Sequence, residues 1–178
     1  YCGTGTIGIC MAAAARDAGI DGVRVTGIEQ VGAAVSCARR NAQANGLGAT
    51  CSFVCADATA YLRTGRRKHS RRHYDVVVMD PPRAGSTPEF LASVAGLSPM
   101  RIVYVSCNPK TQLRDLAELR RHDYRVDSIE PVDMFPHTKH VETVVLMTRT
   151  GRTESRMLSN AVACGQSGKL GAHQAGGV

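Results

Sequence analysis

The sequence lacks the features that would assign it to several common classes of protein. It has no run of about 18 apolar residues that could span a membrane, and no segment resembles a secretory signal. Its seven cysteines are scattered without a CxxC pair, so they indicate neither a disulfide framework nor a zinc site. No internal repeat is evident. We therefore expect a soluble, cytoplasmic protein with no membrane association and no metal.

Acidic residues are scarce relative to basic ones. The 178 residues carry a formal net charge of +7, and 43% of them are hydrophobic, which is enough for a substantial core. The excess charge indicates an anionic partner, for which nucleic acid is the first candidate. Arginine and lysine are concentrated in residues 63–73, where no acid is present. We expect a solvated loop there, with contact to RNA phosphate as the alternative.

Strand-like and helix-like segments alternate along the chain. The predicted strands cover residues 23–29, 52–55, 74–79, 101–106, 126–134 and 141–148, and the predicted helices cover 9–18, 31–42, 58–62, 86–97 and 111–122. This order predicts an α/β, Rossmann-like domain with a mostly parallel sheet that ends in an antiparallel hairpin. We expect the domain to occupy residues 1–149. Residues 150–178, which lack periodicity, are expected to be a disordered or unrelated tail.

A glycine-rich loop opens the chain and indicates a nucleotide or nucleoside cofactor. Residues 3–8 have the GxGxxG spacing, which allows the backbone to approach a cofactor closely. Glu29 ends the next predicted strand about 20 residues later, where a carboxylate can bind both ribose hydroxyls. Asp57 follows the strand after that. It either reaches the amine of a base or caps the helix that begins at Ala58, and the sequence does not separate these interpretations.

Two further motifs follow predicted strands. Asp80 ends an apolar strand and is held by Pro81 and Pro82, which favours a functional role. Cys107 ends another strand, with Asn108 as the N-cap of the next helix and Pro109 in its first turn. The positive end of that helix favours a thiolate, although many free cysteines are simply small buried apolar residues.

The segment before the last strand is rich in polar groups. Glu142 enters an apolar strand, where a carboxylate is costly if it is buried without a partner or a task. His137 and His140 lack an evident third ligand, so we predict no metal site there.

Four motifs are similar to those of one enzyme family. They are Tyr-Cys-Gly-Thr-Gly-Thr at 1–6, Asp-Pro-Pro-Arg at 80–83, Ser-Cys-Asn-Pro at 106–109 and Asp-Met-Phe-Pro-His-Thr-Lys-His-Val-Glu at 133–142. On these motifs residues 1–149 resemble the catalytic domain of the RNA uracil-5-methyltransferases. The resemblance implies a class I methyltransferase fold, S-adenosylmethionine as cofactor, RNA as partner and a monomeric protein. Residues 135–142 resemble the ribosomal RNA branch of the family more than the transfer RNA branch.

The resemblance also implies roles for individual residues. Cys107 corresponds to the nucleophile that adds to uracil C6, and Glu142 to the base that removes the C5 proton. The implied cofactor-binding residues are Tyr1, Glu29 and Asp80, with Gly3, Gly5 and Asp57 as weaker additions. Asp80 is also a candidate for contact with the uracil edge.

The family's first strand and its further N-terminal parts lie before the position that corresponds to Tyr1. We therefore expect residues 1–178 alone to be unstable or inactive, because a sheet without a central strand exposes hydrogen-bonding groups.

Three other functions remain as alternatives. An amino-methyltransferase also carries an Asp-Pro-Pro turn, but an aromatic residue usually follows it, whereas this chain has Arg83. A non-catalytic RNA-binding scaffold would fit the charge, and it predicts that replacement of Cys107 has no effect. A dehydrogenase is the weakest alternative, because the chain has no second dinucleotide-binding half.

Overall fold

Helices and strands alternate through the part of the chain that the computed structural model describes, residues 1–68, 74–138 and 140–151. The elements are α1 (Thr6–Asp17), β1 (Val25–Glu29), α2 (Gly32–Ala44), β2 (Cys51–Cys55), α3 (Ala58–Lys68), β3 (Val76–Met79), α4 (Pro88–Gly96), β4 (Arg101–Ser106), α5 (Pro109–Arg121), β5 (Tyr124–Val132) and β6 (Glu142–Arg149). None of the helices in these ranges has the length and hydropathy needed to cross a bilayer.

The strands form two sheets. Strands β1 and β2 pair in parallel, and the other four are arranged in the order β3-β4-β6-β5. In the second sheet β3 is parallel to β4, whereas β6 is antiparallel to both β4 and β5. The predicted Rossmann-like fold with a terminal antiparallel hairpin is therefore confirmed.

The facing edges of β1 and β3 are not joined by any strand of the described residues. The amino group of Tyr1 and the N–H of Cys2 both donate to the carbonyl oxygen of Ile28, at 2.8 and 3.1 Å. The first residues thus run beside the carboxyl end of β1.

The prediction of a basic loop over residues 63–73 is wrong for its first part. Helix α3 continues to Lys68, because arginine and lysine are good helix formers. Thr64 donates to the carbonyl of Ala60 at 2.9 Å, and Arg63 forms an ion pair with Glu89 of α4 at 3.2 Å. The rest of the segment, 69–73, lies outside the described residues. So does the predicted tail from residue 152 onward, and its boundary stays a prediction.

Ser86 and Glu89 have the spacing of a capping box, which makes Ser86 the predicted N-cap of the helix over residues 86–97, but the cap lies one residue later. Thr87 is the N-cap, and its hydroxyl oxygen accepts from the N–H of Phe90 at 3.2 Å. Pro88 at the first helical position explains the shift, since a proline there places the cap on the preceding residue. The backbone N–H of Ser86 instead donates to Asp115.

Two separate hydrophobic clusters support the two sheets. One lies among α1, α2 and the β1–β2 sheet, with Ala12, Ala38 and Phe53 among its buried members. The other lies between the four-stranded sheet and helices α4 and α5, and it contains Leu91 and Tyr104. The carboxyl ends of β1, β3 and β4 carry Glu29, Asp80 and Cys107, as the predicted strand pattern requires.

Candidate active site

The glycine-rich loop joins the start of the chain to α1 in a conformation that requires glycine. Gly5, the N-cap of α1, has φ of 83°, which favours glycine strongly. A Cβ atom at Gly5 would lie 2.7 Å from the ring of Phe53 and 3.0 Å from the Cβ of Ala38. The ring therefore packs directly beneath the loop, and the loop backbone faces the opening above it.

Glu29 closes this loop. Its Oε2 accepts from the N–H of Gly3 at 3.1 Å, and its Oε1 accepts from the N–H of Val31 at 3.0 Å. Burial favours a higher pKa for Glu29, but the hydrogen bonds from Val31 and Gly3 outweigh it and lower the pKa below the ordinary value. The carboxylate is thus held ionised between the loop and the end of β1.

A cleft of about 1000 Å³ lies beside the loop and extends into the opening between the sheets. Four of the predicted cofactor-binding residues line it, namely Tyr1, Gly3, Glu29 and Asp80. Burial raises the pKa of Asp80, and it also raises that of Tyr1, with the negative charges of Asp57 and Glu29 adding to the effect. The Tyr1 ring packs edge-on against Phe90, with ring centroids 5.3 Å apart.

Asp57 and Gly5 are not among the residues that line this cleft. Asp57 caps α3, because its Oδ1 accepts from the N–H of Ala60 at 2.8 Å. Of the two interpretations that the sequence left open, the capping role is therefore present in the structure. Contact of Asp57 with a cofactor base stays a prediction.

Cys107 lies half-buried in the bend between β4 and α5. Asn108 caps the helix as predicted, since its Oδ1 accepts from the N–H of Lys110 at 3.2 Å, and Pro109 is the first helical residue. The N–H of Asn108 also donates to the hydroxyl of Ser106 at 3.1 Å. The residues on both sides of Cys107, Ser106 and Asn108, are therefore hydrogen-bonded, which fixes the backbone that carries the thiol.

Glu142 is the first residue of β6, and both it and Cys107 adjoin the last pair of the β4–β6 ladder. The last pair of the antiparallel β4–β6 ladder is Ser106 with Thr143. Cys107 directly follows Ser106 and Glu142 directly precedes Thr143, so the two lie one position beyond that pair. Cys107 lies in the bend after β4, so the pairing of the strands ends one residue before it. Neither residue lines the cleft beside the glycine loop.

Hydrogen bonds connect the Cys107 bend to the turn that follows Asp80. The amide nitrogen of Asn108 donates to the carbonyl of Arg83 at 3.0 Å, and the hydroxyl of Thr111 donates to the same oxygen at 3.1 Å. The Asp80 turn borders the cleft, and Asn108 adjoins Cys107. The two groups of predicted residues are therefore linked through the start of α5.

Asp115 of α5 is a buried carboxylate that the sequence analysis missed. Its Oδ2 accepts from the Tyr104 hydroxyl and from the N–H of Ser86, both at 2.6 Å, and Arg114 lies 2.8 Å from its Oδ1. Burial and the neighbouring Asp115 raise the pKa of Tyr104 far above its usual value. An acid directly before Leu116, in the row of apolar residues of the predicted helix, is the signal that could have identified it.

Gly85 shows how closely this turn approaches α5. It has φ of 77°, and a Cβ atom there would lie 2.7 Å from Oδ2 of Asp115 and 2.6 Å from Nη2 of Arg114. Arg114 also donates to the carbonyls of Ala84 and Ser86, at 3.0 and 3.2 Å. The turn after Asp80 is thus fixed to the helix that follows Cys107 at several points.

No group of three or more His, Cys, Asp or Glu side chains is placed to hold a metal ion in the ranges that the structure covers. His137 lies in the turn of the β5–β6 hairpin with φ of 66°, and His140 follows it just before β6.

Comparison with known proteins gives consistent results. Residues 1–150 match the family profile described as tRNA (uracil-5-)-methyltransferase. An RNA methyltransferase of Caldanaerobacter subterraneus is 43% identical over 150 residues, which cover 84% of this chain and 30% of the relative. One of Staphylococcus epidermidis is 44% identical over 149 residues, again 84% of this chain and 30% of the relative. The chain thus spans about a third of the length of these curated relatives.

Solved structures show the same likeness. The Pyrococcus abyssi tRNA (uracil-54, C5)-methyltransferase, in complex with S-adenosyl-L-homocysteine, has a TM-score of 0.67 and is 38% identical, over 83% of this chain and 33% of its own. A putative rRNA methylase of Clostridium thermocellum has a TM-score of 0.60 over 84% of this chain and 86% of its own, at 14% identity, and so supports the fold alone.

Proposed function

We propose, from the premise that this chain belongs to the tRNA (uracil-5-)-methyltransferase family, that it takes part in methylation of uridine C5 in RNA. The observation that carries the proposal is the register of β4 and β6, in which Ser106 pairs with Thr143. It supports the presence of a thiol and a carboxylate side by side at the end of one ladder. A pyrimidine C5 methylation requires these two groups to act on adjacent carbons.

The residues around the cleft fit S-adenosylmethionine. The glycine loop offers backbone without side chains, and the Glu29 carboxylate at its edge retains acceptor capacity for ribose hydroxyls beyond its two backbone bonds. We assign Tyr1, Glu29 and Asp80 as the principal cofactor-binding residues, with Gly3 and Gly5 through the backbone. When bound, the cofactor supplies an electrophilic methyl group.

Cys107 acts as the nucleophile. Uracil C5 is too weak a nucleophile to accept a methyl group unaided, and addition of the thiolate to C6 moves an electron pair towards C5 and O4. The new bond joins Sγ to C6, and C5 becomes nucleophilic. An exocyclic amine needs no such activation, so this cysteine favours a ring carbon over the amino-methyltransferase alternative.

Glu142 acts as the base that completes the reaction. Once C5 carries its methyl group, the carboxylate removes the C5 proton, and the released electron pair restores the C5–C6 double bond. The Sγ–C6 bond breaks in the same step, which regenerates the thiolate. A base is required close to C5 because the adduct cannot be released until that proton has left.

The experiment that tests this function uses RNA that contains 5-fluorouridine. Fluorine cannot leave as a cation, so the natural full-length protein mixed with this RNA and S-adenosylmethionine should accumulate a covalent complex on a denaturing gel. The Cys107→Ala variant should form none. Absence of the complex with the unaltered protein, or its persistence in Cys107→Ala, would contradict the proposal. The first of these results would also favour the scaffold alternative, because a non-catalytic protein forms no covalent complex.

We propose ribosomal RNA as the substrate, because the amino-acid sequence of residues 135–142 resembles the ribosomal RNA branch of the family more than the transfer RNA branch. A specific observation favours transfer RNA as the second candidate, because the Pyrococcus abyssi relative at 38% identity methylates tRNA. Incorporation of labelled methyl groups into 23S rRNA and into total tRNA, both transcribed without modification, distinguishes the two. Labelling of tRNA alone would overturn the ribosomal assignment and leave the chemistry intact.

A further inference from the structure

Gln112 is a buried polar residue on the inner face of α5, only 3% exposed. A primary amide is costly to bury unless its hydrogen-bonding groups are satisfied. Its Nε2 donates to the carbonyl of Tyr104 at 3.0 Å and to the carbonyl of Thr143 at 3.2 Å, and its Oε1 lies 2.6 Å from the hydroxyl of Thr143, which donates to it. Two carbonyl oxygens can only accept, so the amide orientation follows from its partners.

The three partners of this amide lie on the elements that carry the proposed reacting groups. Thr143 directly follows Glu142 in β6. Tyr104 lies in β4, which ends one residue before Cys107. Helix α5, which holds Gln112, begins directly after the Cys107 bend. The hydroxyl of Thr143 is also 3.2 Å from the carbonyl of Ser106. One side chain therefore connects the end of β4, the start of β6 and the following helix.

We infer that Gln112, through Thr143, is a positioning residue that sets the separation of Cys107 and Glu142. The inference rests on the function proposed above. Neither side chain touches the substrate, because both point into the space beneath the ladder, where Gln112 and Thr143 are buried. The reaction needs sulfur at C6 and a carboxylate at C5, and a misplacement of about 1 Å in such a pair costs on the order of 100-fold in rate.

Simple stabilisation of the helix does not require this amide. Leu116 and Leu119 already anchor the inner face of α5 in the main core, and Asp115 joins the helix to the Ser86 turn. A leucine at position 112 would suit the same buried environment. What leucine cannot provide is the pair of hydrogen bonds to two different strands at the end nearest the reacting groups.

The test makes two measurements on the natural full-length protein with both substrates saturating. The rate of covalent complex formation with 5-fluorouridine RNA reports on Cys107, and the rate of release of methylated product from uridine RNA also requires Glu142 and should fall in the same variants. Gln112→Leu and Thr143→Val remove the contact with little change in volume, whereas Thr143→Ser keeps the hydroxyl. We expect the first two to slow adduct formation by about 10- to 100-fold and Thr143→Ser to stay within about threefold of the unaltered protein. The double variant should be no slower than the slower single one, because both changes break one connection.

Leu119→Val provides the matched control. It perturbs the same helix in the same core and should lower the melting temperature without a change in the rate of adduct formation. The affinity for S-adenosyl-L-homocysteine should be the same in all these proteins. A role confined to stability predicts instead that Gln112→Leu behaves like Leu119→Val.

The outcomes separate this inference from the function on which it rests. If the unaltered protein forms no adduct, the proposed function fails, and this inference with it. If it forms the adduct, and Gln112→Leu forms the adduct and releases methylated product at unchanged rates, only the positioning role is overturned. Should Gln112→Leu fail to fold, the comparison of Thr143→Val with Thr143→Ser decides, and equal rates for those two would overturn the inference.

Discussion

The two sheets of the molecule pack against different kinds of side chain. The cluster beneath β1 and β2 includes three buried alanines and a cysteine, and Phe53 is its one aromatic member among the described residues. The cluster beneath the four-stranded sheet contains Tyr104, Tyr124, Phe90 and several leucines and methionines. In the first arrangement the Phe53 ring packs directly against the backbone of the glycines around the loop. The second provides a bulky support for the strands that carry Cys107 and Glu142.

Buried polar residues are also divided unequally between the two regions. In the described ranges all of them follow β3 in the chain, and they are Ser86, Ser106, Gln112, Asp115, Thr143 and Thr150. Most of them join the turn after β3, the end of β4 and the start of β6. The first region instead uses the partly exposed Glu29 to close its loop. The glycine loop is thus held by one partly exposed carboxylate, whereas the ends of β4 and β6 are held by buried polar side chains.

The largest expected effect comes from Glu142→Gln, which should separate chemistry from binding. Methyl transfer proceeds but the C5 proton remains, so we expect turnover to fall by about 100- to 10,000-fold and methylated RNA to accumulate in covalent complex. Affinity for S-adenosyl-L-homocysteine should not change. A denaturing gel with ordinary uridine RNA detects the complex, and release of methylated RNA at the normal rate would contradict the assignment.

Asp115→Asn tests whether the buried polar groups of the second region stabilise the protein. An amide has a single accepting oxygen, so its NH2 group must face either the donors of Tyr104 and Ser86 or the Arg114 guanidinium, and the ion pair with Arg114 is lost. We expect the free energy of unfolding in urea to fall by roughly 2–4 kcal/mol. Asp17→Asn, which breaks the exposed pair with Arg16, is the control and should change it by less than about 0.5 kcal/mol. Equal effects would contradict the structural role of Asp115.

Gly27→Ala tests the close packing of the first region. A Cβ atom at Gly27 would lie 2.5 Å from the Phe53 ring and 2.8 Å from Sγ of Cys2. We expect a loss of about 1–3 kcal/mol in the free energy of unfolding and weaker binding of S-adenosyl-L-homocysteine, because the same ring supports Gly5. Phe53→Leu in the same protein should restore part of the loss, and strictly additive effects would show that the ring is not the cause.

The smallest expected effect is a decrease in the affinity for S-adenosyl-L-homocysteine at acid pH, where Glu29 no longer closes the glycine loop. Hydrogen bonds from Val31 and Gly3 lower the pKa of Glu29, so loop closure is complete above the ordinary glutamate pKa and is lost as the pH falls through the lowered value. Affinity for S-adenosyl-L-homocysteine should therefore decrease at the acid end of the range. Glu29→Gln should bind about tenfold more weakly at neutral pH and lose this dependence. A parallel decrease in both proteins would assign the effect to another group.

Local sequence signals predicted most of the fold. The Asn108 cap and Pro109 placed the start of α5, and apolar runs placed all six strands of the described residues. These predictions succeeded because each depends on a few neighbouring residues. The same signals placed Glu29, Asp80 and Cys107 at the carboxyl ends of strands.

Contacts between distant residues could not be predicted in this way. The bonds from Gln112 to Thr143 and from Asp115 to Ser86 span 31 and 29 residues, and they depend on the register of strands and on the crossing of α5 over the sheet. The high charge of residues 63–68 predicts a solvated loop, whereas the helix propensity of arginine and lysine favours the helix that is present. The paired ends of β4 and β6 likewise became visible only with the register.

The most direct test of the account locates the covalent bond itself. Digestion of the complex formed with 5-fluorouridine RNA and S-adenosylmethionine, followed by tandem mass spectrometry, identifies the modified residue and the group attached to it. The account predicts a single modified peptide in which Cys107 carries a methylated fluoropyrimidine. A bond at another cysteine, or a nucleotide at Cys107 without the added methyl group, would contradict it.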